Sequence, residues 1–492
     1  MNKKLIVLGL DGASYTLIKE FSEEGIMPNF SKILKNGKCG VLKSTTPPHT
    51  APGWVSSLTG VLPGDHGIYQ FWDTQSSDYV GKFMGSRDVK YPFVWDVLNE
   101  NGYSAGIINV PMSHPPKKIN GYMFTWPLSN TLNYCYPKEL IREIADNQGQ
   151  YVSDLLMMFS GDENYIFEAI KITRKRVNTI LYLLKHRPTD LMICVFTEID
   201  RVSHYYWKYI DDVSAKESMR NAIQSIYRET DAALGKILDY CNDDFNFIIY
   251  SDHGFEKGVL DFYVQTFLIN KGFMHIKKAS ANYVPDGSWF EYWKFDELYV
   301  VDWSRTVAYM SAPGSYGINL NLINRQSQGI VSESNYDKIC NQIIDELIKI
   351  KNPLDNTSLF KKVCYRKEIY NGNCINGAPD IILIPQYYGI MAHHKLTDRE
   401  MFCMQPEQNG MHSQEGIIIL YGNEFEKVHN IPVSIEQVAP TILEFYNLKI
   451  PDYMERSFPK KQLVNDSTDM VDCYRKDEQD SIISRLKMLG YY

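Results

Sequence analysis

No stretch of this 492-residue chain is apolar for the ~18 residues that a membrane-crossing helix needs. The N-terminal "MNKKLIVLGLDG" has an apolar segment, Leu5 to Leu10, too short for a secretory signal. It runs into Asp11 without a small-residue cleavage site. No block of lysine and arginine stands out, and the formal net charge is -8. That excludes a nucleic-acid polymer or an anionic membrane surface as the main partner. The nine cysteines form no CxxC pair, which argues against a structural zinc ribbon and against a disulfide framework. They read as free thiols in a reducing interior. Internal repeats and low-complexity tracts are also lacking. The expectation is a cytoplasmic globular protein without a membrane span, its oligomeric state left open.

What is present is strand–helix alternation. "LIVLGL" (5–10), "LMICVF" (191–196), "FNFIIY" (245–250), "DIILIP" (380–385) and "GIIILYG" (416–422) are continuous apolar runs. Such runs suit parallel strands covered on both faces. Helical patterns lie at 27–37, 91–102, 218–241 and 434–448. The fold class expected is α/β, with a doubly wound, mostly parallel central sheet and helices on both faces. One catalytic domain is expected over 1–455. It includes a helical cap insertion at 114–190 and an aromatic-rich insertion at 275–315, whose aromatics at 289–303 read as core or, alternatively, as a lid that stacks on a base or sugar. A charged linker and C-terminal helix are expected over 456–492.

The ends of three strands carry the chemistry. The first run ends at Asp11-Gly12, the second leads into Thr197-Glu198-Ile199-Asp200, and the third into Ser251-Asp252-His253-Gly254. Ligands of open α/β sheets bind beyond the carboxyl ends of the strands, so three carboxylates reach one edge. His204 follows Asp200 by four residues, on the same face if that segment is helical. His412 sits in "NGMHSQEG", ahead of another strand. Asp11, Asp200, His204, Asp252, His253 and His412 are enough for two divalent metal ions. Their mixed nitrogen and oxygen donors suit zinc better than calcium, with manganese as the other choice. In "STTPPHTAPGWVSSLTG" (44–60), Thr50 opens a helical run. Its hydroxyl is either an ordinary N-cap or, lowered in pKa by a metal, a nucleophile for phosphorus. His66 reads as a turn-shaping residue; nothing ties His393 or His394 to the site.

Seven pieces in order resemble the alkaline phosphatase superfamily: "GLDGA" (9–13), "PPHTAPGWVSSLTGVLPGDHGI" (47–68), "DRVSH" (200–204), "SDHGF" (251–255), "GINLN" (317–321), "GMHSQEGI" (410–417) and "VAPTIL" (438–443). The resemblance is to the type I phosphodiesterase/nucleotide pyrophosphatase branch, in particular its bacterial phosphohydrolase/phosphomutase-like members. It implies that Asp11, Thr50, Asp252 and His253 hold one metal ion and that Asp200, His204 and His412 hold the other. It further implies that Thr50 attacks phosphorus and forms a covalent phospho-threonine on a small-molecule phosphoester such as a nucleotide or nucleotide sugar. The branch's nucleotide pyrophosphatases carry Asn three residues after the nucleophile; Gly53 stands here, and Asn109 is the candidate replacement donor. Thr-Ala-Pro-Gly-Trp (50–54) is not the Cys/Ser-x-Pro-x-Arg of sulfatases. A phosphomonoesterase or a phosphomutase/phosphotransferase on the same site is the alternative activity.

Overall fold

The run Lys4–Leu10 forms β1, whose residues after Lys4 are all buried. It pairs in parallel with β6 (Leu191–Phe196) on one side and β7 (Phe245–Tyr250) on the other. In this register Leu10 lies opposite Phe196 and Gly9 opposite Tyr250, so the three strands end together. Beyond β6 the sheet continues through β3 (Ala105–Ile108) and β4 (Gly121–Phe124), both parallel, to a short antiparallel β5 (Cys135–Tyr136). Beyond β7 lie the antiparallel strand Glu415–Tyr421 and, at the edge, β2 (Lys38–Lys43).

This computed structural model describes residues 3–454 except 74, 130, 156, 242–244, 286–287, 407 and 426–430, together with 482, 483, 485 and 486. The chain divides into two units, Met1–Leu62 with Met84–Lys257 and Gln408–Tyr492, and Pro63–Phe83 with Gly258–Glu407. The eight-stranded sheet belongs to the first. One of its faces buries Ile6, Leu8 and Leu10 against Ile18, Phe30, Ile172 and Ile226. These come from helices Tyr15–Glu23, Pro28–Asn36, Asn164–His186 and Ala222–Cys241. On the other face lies helix Thr50–Thr59, buried along its whole length. Gly9 lets it approach, because a Cβ there would stand 2.2 Å from the Trp54 ring.

The α/β class and covered sheet agree with the sequence expectation; strand direction and the cap at 114–190 differ. Strand Glu415–Tyr421 is in the central sheet but antiparallel, and Ile381–Pro385 belongs to a four-stranded antiparallel sheet of the second unit. A continuous apolar run reports burial on both faces; it does not report strand direction. Residues 114–190, expected as a helical cap, supply β4 and β5 to the sheet. Their long helix Asn164–His186 packs into the main core through Tyr165, Ile172 and Ile180. Residues 275–315 form a three-stranded antiparallel sheet, Ile276–Lys278, Glu291–Lys294 and Glu297–Val301, and then the strand Ala308–Tyr309. In that unit Trp303 stacks on Tyr79 at 3.7 Å.

The proline within 434–448 falls in the first turn of helix Val438–Phe445, where its missing N–H costs nothing. The linker expected within 456–492 lies outside the described residues. Of the tail helix, Ile482, Ile483, Arg485 and Leu486 are described and helical.

His66 accepts the Ile68 amide at 3.0 Å, which closes the turn it was expected to shape. Burial lowers its imidazole pKa to about 3, and burial with Arg87 nearby lowers that of His114 to about 4. An unfolded chain binds these protons near pH 6.5. Between pH 6.5 and those values the unfolded state therefore holds more protons, and stability falls as pH falls. Each histidine should remove up to about 1.4 kcal/mol per pH unit across this window. Urea midpoints of chelator-treated protein should drop from pH 6.5 to 4.5, and His66→Asn or His114→Gln should make the slope shallower.

Candidate active site

Asp11 leaves β1 with its amide bonded to Phe196 O at 2.9 Å. Its Oδ2 accepts the Trp54 indole N–H at 3.1 Å, the contact that Gly9 makes room for. Gly12 turns at φ +71° and donates its N–H to Asp252 Oδ1 at 3.2 Å. Asp252 Oδ2 lies 3.2 Å from His253 Nε2 without the alignment of a hydrogen bond. Asp11 Oδ1 lies 3.6 Å from the same nitrogen. Thr50 is the first residue of its helix and fully buried, and its Oγ1 stands 3.3 Å from His253 Nε2 and 3.5 Å from Asp11 Oδ1.

The second group forms beside it. Asp200 and His204 lie one turn apart on helix Glu198–Tyr206. His412 comes from the strand Gly410–Ser413, which pairs with β8 (Gly254–Lys257), where it faces Phe255. His412 Nε2 is 3.1 Å from Asp200 Oδ1 and 3.1 Å from His204 Nε2. The His412 ring stacks on that of His253 at 3.7 Å, which joins the two groups.

The donor chemistry fits two cations. Asp11, Asp252 and His253 offer ligand atoms within 4.8 Å of one another, as do Asp200, His204 and His412. His204 Nδ1 meets Gly410 O at 3.0 Å and His253 Nδ1 meets Gly254 O at 3.0 Å. A carbonyl only accepts, so each Nδ1 carries the proton and each Nε2 lone pair faces the site. Burial keeps these rings neutral, lowering His204 to about 4 and His253 well below its usual value. Burial, with the charges of the neighbouring carboxylates, raises Asp11 and Asp252 well above the usual range. Asp200 moves the other way: burial pushes it up, but His204, Arg201 and His412 together outweigh that and lower it. Neutral imidazoles and mutually repelling buried carboxylates are the donor set that a divalent ion stabilises.

All seven residues singled out in the sequence, Asp11, Thr50, Asp200, His204, Asp252, His253 and His412, meet here. The N-cap of the Thr50 helix is His49, whose Nδ1 accepts the Ala51 amide at 3.2 Å. The histidine takes the capping role, and the threonine hydroxyl is turned to the carboxylates. His49, Trp54, Asp154 and Arg201 escaped the sequence reading. His49, Trp54 and Arg201 stood inside quoted motifs without a stated role, whereas Asp154 lies in a loop with no motif. At Gly53 a Cβ would sit 3.1 Å from Asp252 Cβ, so a side chain there crowds a donor. Asn109, the candidate replacement donor, has its carboxamide tied to Val195 O at 3.2 Å and to the Tyr151 hydroxyl at 3.1 Å.

The family model described as type I phosphodiesterase/nucleotide pyrophosphatase matches residues 5–414. The chain belongs to this family. Family membership makes it a divalent-metal-dependent phosphoester hydrolase of the alkaline phosphatase superfamily. No functionally curated protein matches it in sequence. Among solved structures, phosphonoacetate hydrolase from Sinorhizobium meliloti 1021 is similar, with a TM-score of 0.58 at 14% identity over 90% of this chain and 96% of that one. Human ectonucleotide pyrophosphatase/phosphodiesterase 5 gives a TM-score of 0.52 at 12% identity, over 91% of this chain and 96% of the other. Its murine counterpart gives 0.51 at 13% over the same shares. These likenesses establish an alkaline-phosphatase-like fold.

Removing one imidazole should empty one donor set and spare the other. Metal analysis after dialysis should therefore find about two ions per chain in the wild-type protein and about one in either His253→Ala or His412→Ala. Two ions retained in both variants would count against these ligands.

Proposed function

We propose that this family member is a two-ion phosphoester hydrolase of the phosphodiesterase/nucleotide pyrophosphatase type, with Thr50 as its nucleophile. The observation that carries the reading is the buried Thr50 hydroxyl, 3.3 Å from His253 Nε2 and 3.5 Å from Asp11 Oδ1, at the mouth of a helix. In this reading Asp11, Thr50, Asp252 and His253 hold one ion and Asp200, His204 and His412 the other, with zinc favoured over manganese by the donor mix. Two such ions, when bound, lower the pKa of a hydroxyl and stabilise charge on a leaving oxygen.

The chain's own groups do the rest. Thr50 Oγ1 loses its proton and bonds to phosphorus as the ester P–O bond breaks, and the leaving oxygen takes up a proton in its place. The leaving group departs with that electron pair. Water then cleaves the Thr50 phosphoester and restores the hydroxyl. The substrate is a small-molecule phosphoester such as a nucleotide or nucleotide sugar. The murine relative supports this, since its structure is of an inactive threonine-to-alanine form in complex with AMP. The eight cysteines among the described residues are free, which supports a reducing, cytoplasmic setting.

The test is hydrolysis of p-nitrophenyl phosphate and thymidine p-nitrophenyl phosphate with zinc, manganese or EDTA. Thr50→Ala should lower kcat on the preferred ester by at least ~10³-fold, and EDTA should abolish turnover. Turnover unchanged in Thr50→Ala would reject the nucleophile. Preference for the monoester, or transfer to a sugar or glycerol acceptor, would replace the diesterase reading by a phosphatase or phosphomutase one.

A further inference from the structure

Behind the second donor set lies a fully buried chain of charges that none of the steps above uses. Arg201 follows Asp200 in sequence, and neighbouring helical positions do not share a face. Its guanidinium nevertheless curls back, and Nη1 donates to Asp200 Oδ2. The same guanidinium donates from Nε and Nη2 to Asp154 Oδ2, at 3.3 and 3.2 Å. Asp154 is itself fixed from three sides, by the Trp126 indole N–H at 2.8 Å, the Leu155 amide at 2.8 Å and the Thr197 hydroxyl at 3.3 Å. Asp154, Asp200 and Arg201 are all 0% exposed. A second arginine clamps the loop that delivers Asp154: Arg176 Nη2 donates to Ser153 O at 3.1 Å and to Glu198 Oε1 at 2.5 Å.

The consequence for Asp200 is geometric. Its Oδ2 is taken by Arg201, so only Oδ1 faces His412 Nε2 at 3.1 Å and His204 Nε2 at 3.6 Å. In the other donor set the described hydrogen bonds to Asp11 and Asp252 come from the neutral N–H groups of Trp54 and Gly12, and Arg201 reaches Asp11 by charge without bonding to it. Arg485, bonded to the Ser153 hydroxyl at 3.1 Å, adds a second cation beside Asp154, so Asp154 is held ionised as the anchor of the guanidinium that grips Asp200.

We infer that Asp154 and Arg201 are positioning residues that commit Asp200 to a single ligating oxygen and thereby set chiefly the ion affinity of the Asp200–His204–His412 group. The inference rests on the two-ion reading. Partners behind a metal ligand fix its orientation, and losing one weakens binding by roughly 10–100-fold. Arg201→Lys keeps the charge and loses the fork; Asp154→Asn keeps the shape and loses the anchor's charge.

The experiment titrates full-length, chelator-stripped protein with Co²⁺ and with Zn²⁺, following the cobalt visible spectrum and calorimetric binding, with thermal melts to verify folding. Each variant should bind its first ion as the wild type does, within about two-fold. Its second ion should be about 10–100-fold weaker, with an altered spectrum for that ion. Wild-type protein that binds no second ion removes the two-ion reading and this inference with it. Wild-type protein with two ions, and folded variants whose second ion is unchanged, overturns the inference alone. So does equal weakening of both ions, which marks a general loss of structure.

Discussion

Three carboxylates buried together are the constraint on which the site depends. Parallel pairing of β1 with both β6 and β7 brings Asp11, Asp200 and Asp252 to one sheet edge, and all three are 0% exposed. Their mutual repulsion in a dry place must be offset. Much of the local architecture does this. Gly12 adopts a positive φ and donates to Asp252; Gly9 stays small so that Trp54 can reach Asp11; Arg201 neutralises one side of Asp200. What these contacts leave unmatched points inward, at imidazole nitrogens held neutral by burial.

The helix at Thr50 answers a different demand. An exposed threonine at a helix start would cap it and spend its hydroxyl on a backbone amide. Here the ring of His49 caps the helix, and Thr50 Oγ1 faces His253 and Asp11. Passing the cap to a neighbouring residue turns the hydroxyl toward the donor atoms without giving up the stability of the helix N-terminus.

The parts of this arrangement that obey local rules could be read from the chain. Strand ends are marked by apolar runs that stop at Asp11, before Asp200 and before Asp252, and the spacing of Asp200 and His204 is that of one helical turn. Direction and membership were harder. The strand Glu415–Tyr421 is as apolar as β1 yet antiparallel, and β4 and β5 are too short to interrupt a stretch that otherwise reads as helical. Asp154 was illegible for a related reason. Its role comes from a loop folded back against Trp126 and Arg201, a long-range contact that leaves no period in the sequence. His49 stood in view beside Thr50, but only the backbone geometry shows which of the two caps the helix.

The position of His412 has a consequence for assembly. Asp11, Thr50, Asp252 and His253 are all present once a growing chain has passed β8, whereas the second donor set waits for the strand Gly410–Ser413. The edge strand β2 waits as well, because Glu415–Tyr421 is what joins it to the sheet. Contacts of such long sequence separation form late and slow folding. The group of Asp11, Thr50, Asp252 and His253 is thus complete in the chain about 160 residues before His412, and the ribbon that brings this last histidine leads directly into the strand that closes the sheet.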